Sequence, residues 1–397
     1  MHTIKIKPGR EKSALHRHPW LFSGAIAPYT QEPDAGETVR VLDHDGRFLG
    51  WAAWSPSSQI RLRFWSFDEA EQIDAAFFAA RLARAIQARR SLAAAGNAAR
   101  LVHGESDGLP GLVVDQYGEV LVIQFLSAGI ERWRSAIVDA LMSQTGAAAA
   151  FERSDADVRE LEGLAPRVGL LAGKLPARVD IEEYDIRYRV DIEAGQKTGF
   201  YLDQRANRRR IGELVGGFAE GADVLNCFCY TGGFSLAALK GGAKSVLSVD
   251  SSADALVAAK LNASLNDIDA SRAEWVEADA FQYLRKLRDM GRQFDLIILD
   301  PPKFAPTASH VERAARAYKD INLWGLKLLK PGGLLATFTC SGGMSADLFQ
   351  KIIAGSAWDA HAEAQIIERF TPDLDHPVSL NFPEGDYLKG LLLRKVA

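Results

Sequence analysis

From residue 223 onward, short apolar runs alternate with longer amphipathic stretches. The runs at 223–227, 245–249, 274–277, 294–299 and 333–339 read as strands with helices between them, and that alternation predicts a parallel, doubly wound α/β sheet. The last two runs, Gln365–Phe370 and Tyr387–Arg394, have no long helix between them and predict an antiparallel edge pair. Upstream the pattern is different. Thr38–Leu42 and Arg47–Trp54 flank Asp43-His44-Asp45-Gly46, whose Asp-Gly suits a hairpin, and Ile60–Phe67 alternates like a half-buried strand. These strands predict a small β-barrel or sandwich. Residues 71–97 carry helical spacing, with Phe77, Phe78, Leu82 and Ile86 on one face and Arg81, Arg84, Arg89 and Arg90 on a solvated one. Strands at Leu101–His103, Leu112–Asp115, Val120–Phe125 and Ala147–Arg153, with a helix over Ile130–Leu141, make a small α+β module. Gly169–Pro176 has linker character. Val179–Glu182 and Ile186–Asp191 predict a hairpin, and a helix follows to about Val215. The expected domains are therefore 1–70, 71–177 and 178–397.

Composition narrows the class. Of the 397 residues, 47% are hydrophobic and 25% charged, as in ordinary soluble globular chains. A net charge of −4 gives no global argument for nucleic acid, so any such footprint is local. Three cysteines exclude a disulfide scaffold and fit a reducing compartment. MHTIKIKPGREK lacks the apolar segment of a signal peptide, and no run is long enough for a membrane helix, so the cytoplasm is the expected compartment and no membrane partner is expected. No metal-ligand pattern stands out.

The stretch ADVLNCFCYTGGFSLAALKGGAKSVLSVD, residues 222–250, reads as strand, glycine loop, helix, strand. Glycine lets the backbone approach a ligand, and the helix N-terminus offers free N–H donors. An acidic residue about twenty positions on, here Asp250, suits a pair of ribose hydroxyls. This unit predicts a nucleoside-containing ligand; the loop is not G-x-G-x-x-G, which argues against a nicotinamide dinucleotide. Ligands in such sheets sit at the carboxyl ends of the strands. Those ends carry Asn226 to Thr231, Asp250, Asp279, Asp300-Pro301-Pro302-Lys303-Phe304 and Thr339-Cys340-Ser341-Gly342-Gly343. One acidic strand end is often only a helix cap; five polar ends together point to a site.

The segments NCFCYTGGFSLAAL, VDSS, FDLIILDPPKFA and FTCSGGMS resemble class I S-adenosylmethionine-dependent methyltransferases. With HPWLFSGAI, GQKTGFYLDQRANR and DHPVSLNFPEGDYLKGLLLR, the whole chain is similar to the bacterial 23S ribosomal RNA cytosine-5 methyltransferase family, whose N-terminal PUA domain is a small RNA-binding barrel. The resemblance implies a seven-stranded, mostly parallel Rossmann-like methyltransferase sheet after the barrel and the middle module. S-adenosylmethionine would lie over Asn226, Phe228, Tyr230, Thr231 and Gly232, with Lys197, Thr198, Phe200, Gln204 and Arg205 closing over it. Asp250 would hold the ribose, Asp279 and the Ala280 amide the adenine, and Asp300 would add to the field around the sulfonium.

Carbon 5 of cytosine is too weak a nucleophile to take a methyl group unaided. A thiolate adding to carbon 6 makes it enamine-like, and cysteine is the residue suited to that step. Cys340, past a buried strand and followed by glycines, is the expected nucleophile; Cys227 and Cys229 read as packed loop residues. Asp300 would hold the ring nitrogen and exocyclic amine of the base. Many RNA cytosine-5 methyltransferases have a second cysteine where Pro302 stands, so the group that takes the carbon 5 proton stays open between Lys303 and a water. Phe304 either stacks on the base or packs. Arg205, Arg209, Lys5 and Arg17 would contact 23S ribosomal RNA, and the resemblance leaves room for a homodimer. Two other readings stand beside this one: an RNA guanine methyltransferase that needs no thiolate, and an RNA-binding protein without catalysis.

Overall fold

The computed structural model describes residues 2–304 and 311–396. The chain divides into two compact units. One runs to Tyr184 and takes in Val190–Leu202 and Leu374–Gly385; the other holds Asp185–Arg189, Asp203–Asp373 and the chain from Asp386 onward.

The first unit contains two five-stranded sheets. In the first, strands β1 (Thr3–Lys5), β2 (Trp20–Phe22), β3 (Thr38–Leu42), β4 (Phe48–Trp54) and β5 (Ile60–Ser66) lie in the order β1-β3-β4-β5-β2. Alternation along β3 and β5 turns Val39, Val41, Leu62 and Phe64 into a core shared with Ile4, Leu21 and Trp54. In the second, β6 (Ala98–His103), β7 (Leu112–Tyr117), β8 (Val120–Phe125), β9 (Ala149–Ser154) and β10 (Arg167–Gly173) lie in the order β10-β9-β8-β7-β6. Each sheet has its own buried cluster, that of the second packing Phe78, Leu82, Val114, Ile123, Ile137 and Leu141.

Residues 167–173 form an edge strand, not a linker: β10 pairs antiparallel with β9 through a bulge at Leu170/Ala172. Its glycines and largely exposed side chains hide the strand from a pattern search. The helix expected over 71–97 spans Ala75–Ala88, capped by Asp74, whose carboxylate accepts from Phe77 N at 2.9 Å. Arg89 is not solvated: it is buried, and its guanidinium forks onto both Asp107 oxygens at 2.7 Å.

β11 (Val179–Glu183) and β12 (Ile186–Val190) are strands where a hairpin was expected. The second unit's sheet holds β13 (Asp223–Cys227), β14 (Ser245–Asp250), β15 (Ala273–Glu277), β16 (Phe294–Leu299), β17 (Leu329–Thr339), β18 (Ala364–Phe370) and β19 (Lys389–Lys395), in the order β15-β14-β13-β16-β17-β19-β18. The first five of these are parallel, and β19 runs antiparallel to β17 and β18, as the missing helix between the last two runs requires. Leu225, Ile297, Leu299 and Leu335 are fully buried, which explains why these strands read as unbroken apolar runs. The order reverses beside β13, placing a crevice at the carboxyl ends of β13 and β16. Among the described residues no helix is long and apolar enough to cross a membrane.

Candidate active site

β13 delivers Asn226, buried at 1% exposure, whose amide donates to Ser235 Oγ at 2.8 Å; Ser235 in turn bonds Ser248 Oγ at 2.8 Å. The side-chain oxygen of Asn226 has no partner among the described residues. The loop then folds through three left-handed positions: Phe228 (φ 63°), Tyr230 (φ 47°) and Gly232 (φ 87°). For Phe and Tyr this conformation is costly and persists only where the surroundings enforce it. A Cβ at Gly232 would stand 3.0 Å from the Trp275 ring, so glycine is required for space as well as for φ. The helix Gly233–Lys240 starts at once, its first amides facing the crevice end of the sheet.

Asp250, at the end of β14, fixes this loop. Its Oδ2 accepts from Tyr230 N at 2.8 Å and its Oδ1 from Ser252 N at 2.9 Å. Asp279 is exposed and caps the helix Ala280–Asp289, accepting from Gln282 N at 2.9 Å through Oδ1; Ala280 behind it is buried. Thr231 is buried and its carbonyl accepts from Asn262 Nδ2 at 3.1 Å.

Asp300 and Cys340 end β16 and β17. Asp300 Oδ2 accepts from Gln204 Nε2 at 3.0 Å, and Gln204 is oriented by Asn207, whose amide donates to its Oε1 at 2.6 Å. Burial, helped by the Asp203 carboxylate, pushes the Asp300 carboxyl up to about 7. Cys340 Sγ lies 4.0 Å from the Pro301 carbonyl. Burial first, then Asp300 and Asp203, push its thiol up to about 12, while Lys303 pulls it down. Thr339 Oγ1 donates to Tyr318 OH at 2.8 Å, and that hydroxyl lies 3.2 Å from Ser341 Oγ, so the turn carrying Cys340 is held on both sides. Cys227 is wholly buried in the sheet's core and Cys229 is 5% exposed; burial drives both thiols up. Of the three cysteines, Cys340 alone is more than marginally exposed.

Phe304 packs, with its ring 5.0 Å from Tyr318 and 5.9 Å from Phe281. Lys303 is exposed. Arg205 is not available to a phosphate: it is 2% exposed, and its guanidinium bonds Asp373 Oδ2 at 3.0 Å. Arg209 is exposed and pairs with Glu213 at 3.0 Å. Lys197, Thr198 and Phe200 belong to the first unit. There Thr198 is fully buried, donates to Asp115 Oδ2 at 2.5 Å and lies 2.9 Å from Tyr117 OH, which also accepts from Phe200 N at 3.2 Å. Lys197 is exposed with φ 58°. Lys5 and Arg17 are exposed on the first unit. Reading the sequence missed Asp203, Asn207 and Tyr318. Asp203 sits inside the quoted LDQR segment, so the signal for it was present but unused.

The raised Asp300 carboxyl gives a pH test. Its ordinary value is near 4 and its folded value about 7, so the fold prefers it protonated. Its contribution to stability is full below about pH 4 and is lost as pH rises through about 7. Melting temperatures should therefore fall more steeply between about pH 4 and about pH 7 for the native protein than for Asp300→Asn, which has no charge to bury, and the two should run parallel above about pH 8. The same variant should alkylate Cys340 faster at mildly alkaline pH, since one charge opposing the thiolate is gone. Equal melting profiles and equal alkylation rates would contradict this placement of Asp300.

A strand order that reverses at β13, a glycine-containing loop on a helix start and an acidic residue ending the next strand suit a nucleoside-containing ligand, and the class matched by the chain is that of the S-adenosylmethionine-dependent methyltransferases. The family of that description matches residues 103–392, and a PUA-like domain matches residues 4–67. A SAM-dependent methyltransferase described from Streptococcus mutans superposes with a TM-score of 0.85 at 24% identity, covering 99% of this chain and 100% of its own. A methyltransferase solved with SAH superposes with a TM-score of 0.86 at 25% identity over the same shares. Ribosomal RNA large subunit methyltransferase I of Shewanella denitrificans is 52% identical over 395 residues, 98% of each chain. Its counterpart in Salmonella choleraesuis is 50% identical over 394 residues, 98% of this chain and 97% of that one. The chain belongs to the ribosomal RNA large subunit methyltransferase I family, and S-adenosylmethionine is its methyl donor.

Proposed function

We propose that this enzyme methylates carbon 5 of a cytosine in 23S ribosomal RNA through a transient bond between Cys340 and carbon 6 of the base. The observation that carries the reading is the placement of Cys340: a partly exposed thiol at the end of β17, coupled to Asp300 at the end of β16. A methyltransferase acting on a guanine nitrogen has no use for a thiol there.

The residues fit the methyl donor. Asp250 already orders the Tyr230 amide and the Ser252 amide, and its remaining lone pairs suit ribose hydroxyls. The orphaned oxygen of Asn226 and the first amides of the Gly233 helix suit the polar end of the molecule. When bound, S-adenosylmethionine supplies an electrophilic methyl group. Asp279 and Ala280 would face the adenine, and Gln204, bonded to Asp300, would lie beside the ligand.

On the base side, Cys340 gives its proton to solvent and adds to carbon 6 as thiolate, and it takes a proton back from solvent once the base is released. Electron density moves toward the ring nitrogen, where Asp300, protonated near neutral pH, donates a hydrogen bond or a proton. The Tyr318 hydroxyl, bonded to Thr339 and Ser341, keeps the thiol's turn in place. The target base enters unstacked. Lys5 and Arg17, exposed within the stretch that matches a PUA-like domain, and Arg209, exposed on the methyltransferase sheet's unit, would each meet phosphate. Sequencing of 5-methylcytosine in 23S ribosomal RNA from a deletion strain tests the reading. One cytosine should lose its methyl group and regain it on complementation; an unchanged methylation map would overturn it.

A further inference from the structure

The site contains a second carboxylate whose chemistry is unused so far. Asp203 is 8% exposed. Its Oδ2 accepts from Tyr387 OH at 2.6 Å and its backbone carbonyl accepts from Asp373 N at 2.9 Å, so the residue is fixed from two directions. Its Oδ1 has no hydrogen-bond partner among the described residues. A buried carboxylate oxygen without a donor is costly, and a catalytic role is one reason for such a group to be kept. The adjacent residue, Gln204, donates to Asp300 Oδ2 at 3.0 Å, which ties both carboxylates to one short segment. The Asp203 charge acts on the two groups already assigned to the reaction, raising both Asp300 and Cys340.

We propose that Asp203 is the base that removes the proton from carbon 5 of the methylated, Cys340-bound cytosine. The proposal rests on the carbon 5 reading above. In the adduct, carbon 5 carries both the new methyl group and its original hydrogen, and carbon 6 carries the sulfur. Oδ1 of Asp203 takes the hydrogen as a proton. The electron pair of the broken C–H bond forms the carbon 5–carbon 6 double bond, and the carbon 6–sulfur bond breaks with its pair returning to Cys340 as thiolate. The proton leaves Asp203 for solvent, so each turnover releases one proton against one methyl cation gained. The neighbouring candidates are poorer. Lys303 is exposed, and an ammonium has no lone pair to accept a proton; Pro302 has no side-chain acceptor.

The test uses the full-length enzyme with a 23S ribosomal RNA transcript tritiated at cytosine carbon 5 and S-adenosylmethionine labelled in its methyl group. Asp203→Asn should reach the methylated adduct and stop there. A denaturant-stable protein–RNA complex carrying the methyl label should accumulate, while tritium release falls by about a hundredfold or more. Asp203→Glu should restore part of the release. Tritium release by Asp203→Asn at the native rate overturns the proposal. So does a variant that binds S-adenosylmethionine normally yet forms no adduct, which would place Asp203 before the addition step. If Asp203→Asn does not fold, Tyr387→Phe serves, since it keeps the carboxylate and removes one donor. Its tritium release should set in at higher pH with adduct formation unchanged, and an unmoved profile counts against the proposal. Normal turnover by Cys340→Ala would remove the covalent reading itself and is read separately.

Discussion

Cys340→Ala is expected to lower methyl transfer to 23S ribosomal RNA by on the order of a thousandfold or more, with S-adenosylmethionine binding unchanged. The size follows from chemistry. Without a thiolate at carbon 6, carbon 5 never gains the electron density to attack, and no neighbour offers a substitute: Cys227 and Cys229 are buried, and burial holds both as thiols. Burial also holds Cys340 as a thiol in the resting protein, so the loss should be equally deep for Cys340→Ser, whose hydroxyl is a poorer nucleophile still. Single-turnover methylation with labelled donor, alongside calorimetry of donor binding, checks both halves. Full activity in either variant would point instead to attack by a ring nitrogen.

Asp250→Ala is expected to weaken S-adenosylmethionine binding by on the order of 2–4 kcal/mol, roughly thirtyfold to a thousandfold in Kd. Two losses combine. A carboxylate that would accept ribose hydroxyls disappears, and the amides of Tyr230 and Ser252 lose their acceptor. Tyr230 stands at φ 47°, so the loop proposed to hold the ligand loses a restraint on an unfavourable conformation. Asp250→Asn keeps one acceptor oxygen and should fall between the two. Isothermal calorimetry decides; an alanine variant with native affinity would show that the ribose lies elsewhere.

The strand ends were readable because they depend on local pattern. Buried parallel strands are continuous apolar runs, and the polar residue where such a run stops marks the strand's end, which is how Asn226, Asp250, Asp300 and Cys340 could be named together. What escaped the sequence depends on partners far along the chain. Arg205 looks like a phosphate ligand until Asp373, distant in sequence, is found against its guanidinium. Thr198 looks like a donor to a ligand until Asp115 and Tyr117 are found holding it. Asp203 is recognisable only from the buried oxygen left without a donor, and burial is not written in a heptapeptide. Asp279 shows the reverse: its use as a helix cap follows directly from its position before Ala280. β10 was lost to its glycines and exposed side chains, which a strand tolerates at a sheet edge.

The central assertion is that sulfur and pyrimidine are briefly joined. 23S ribosomal RNA made with 5-fluorocytidine blocks the last step, since fluorine cannot leave carbon 5 as a proton does. Incubated with this RNA and S-adenosylmethionine, the native enzyme should form a denaturant-stable complex whose cross-linked peptide carries the nucleotide on Cys340. Absence of the complex, or a cross-link on another side chain, would contradict the mechanism.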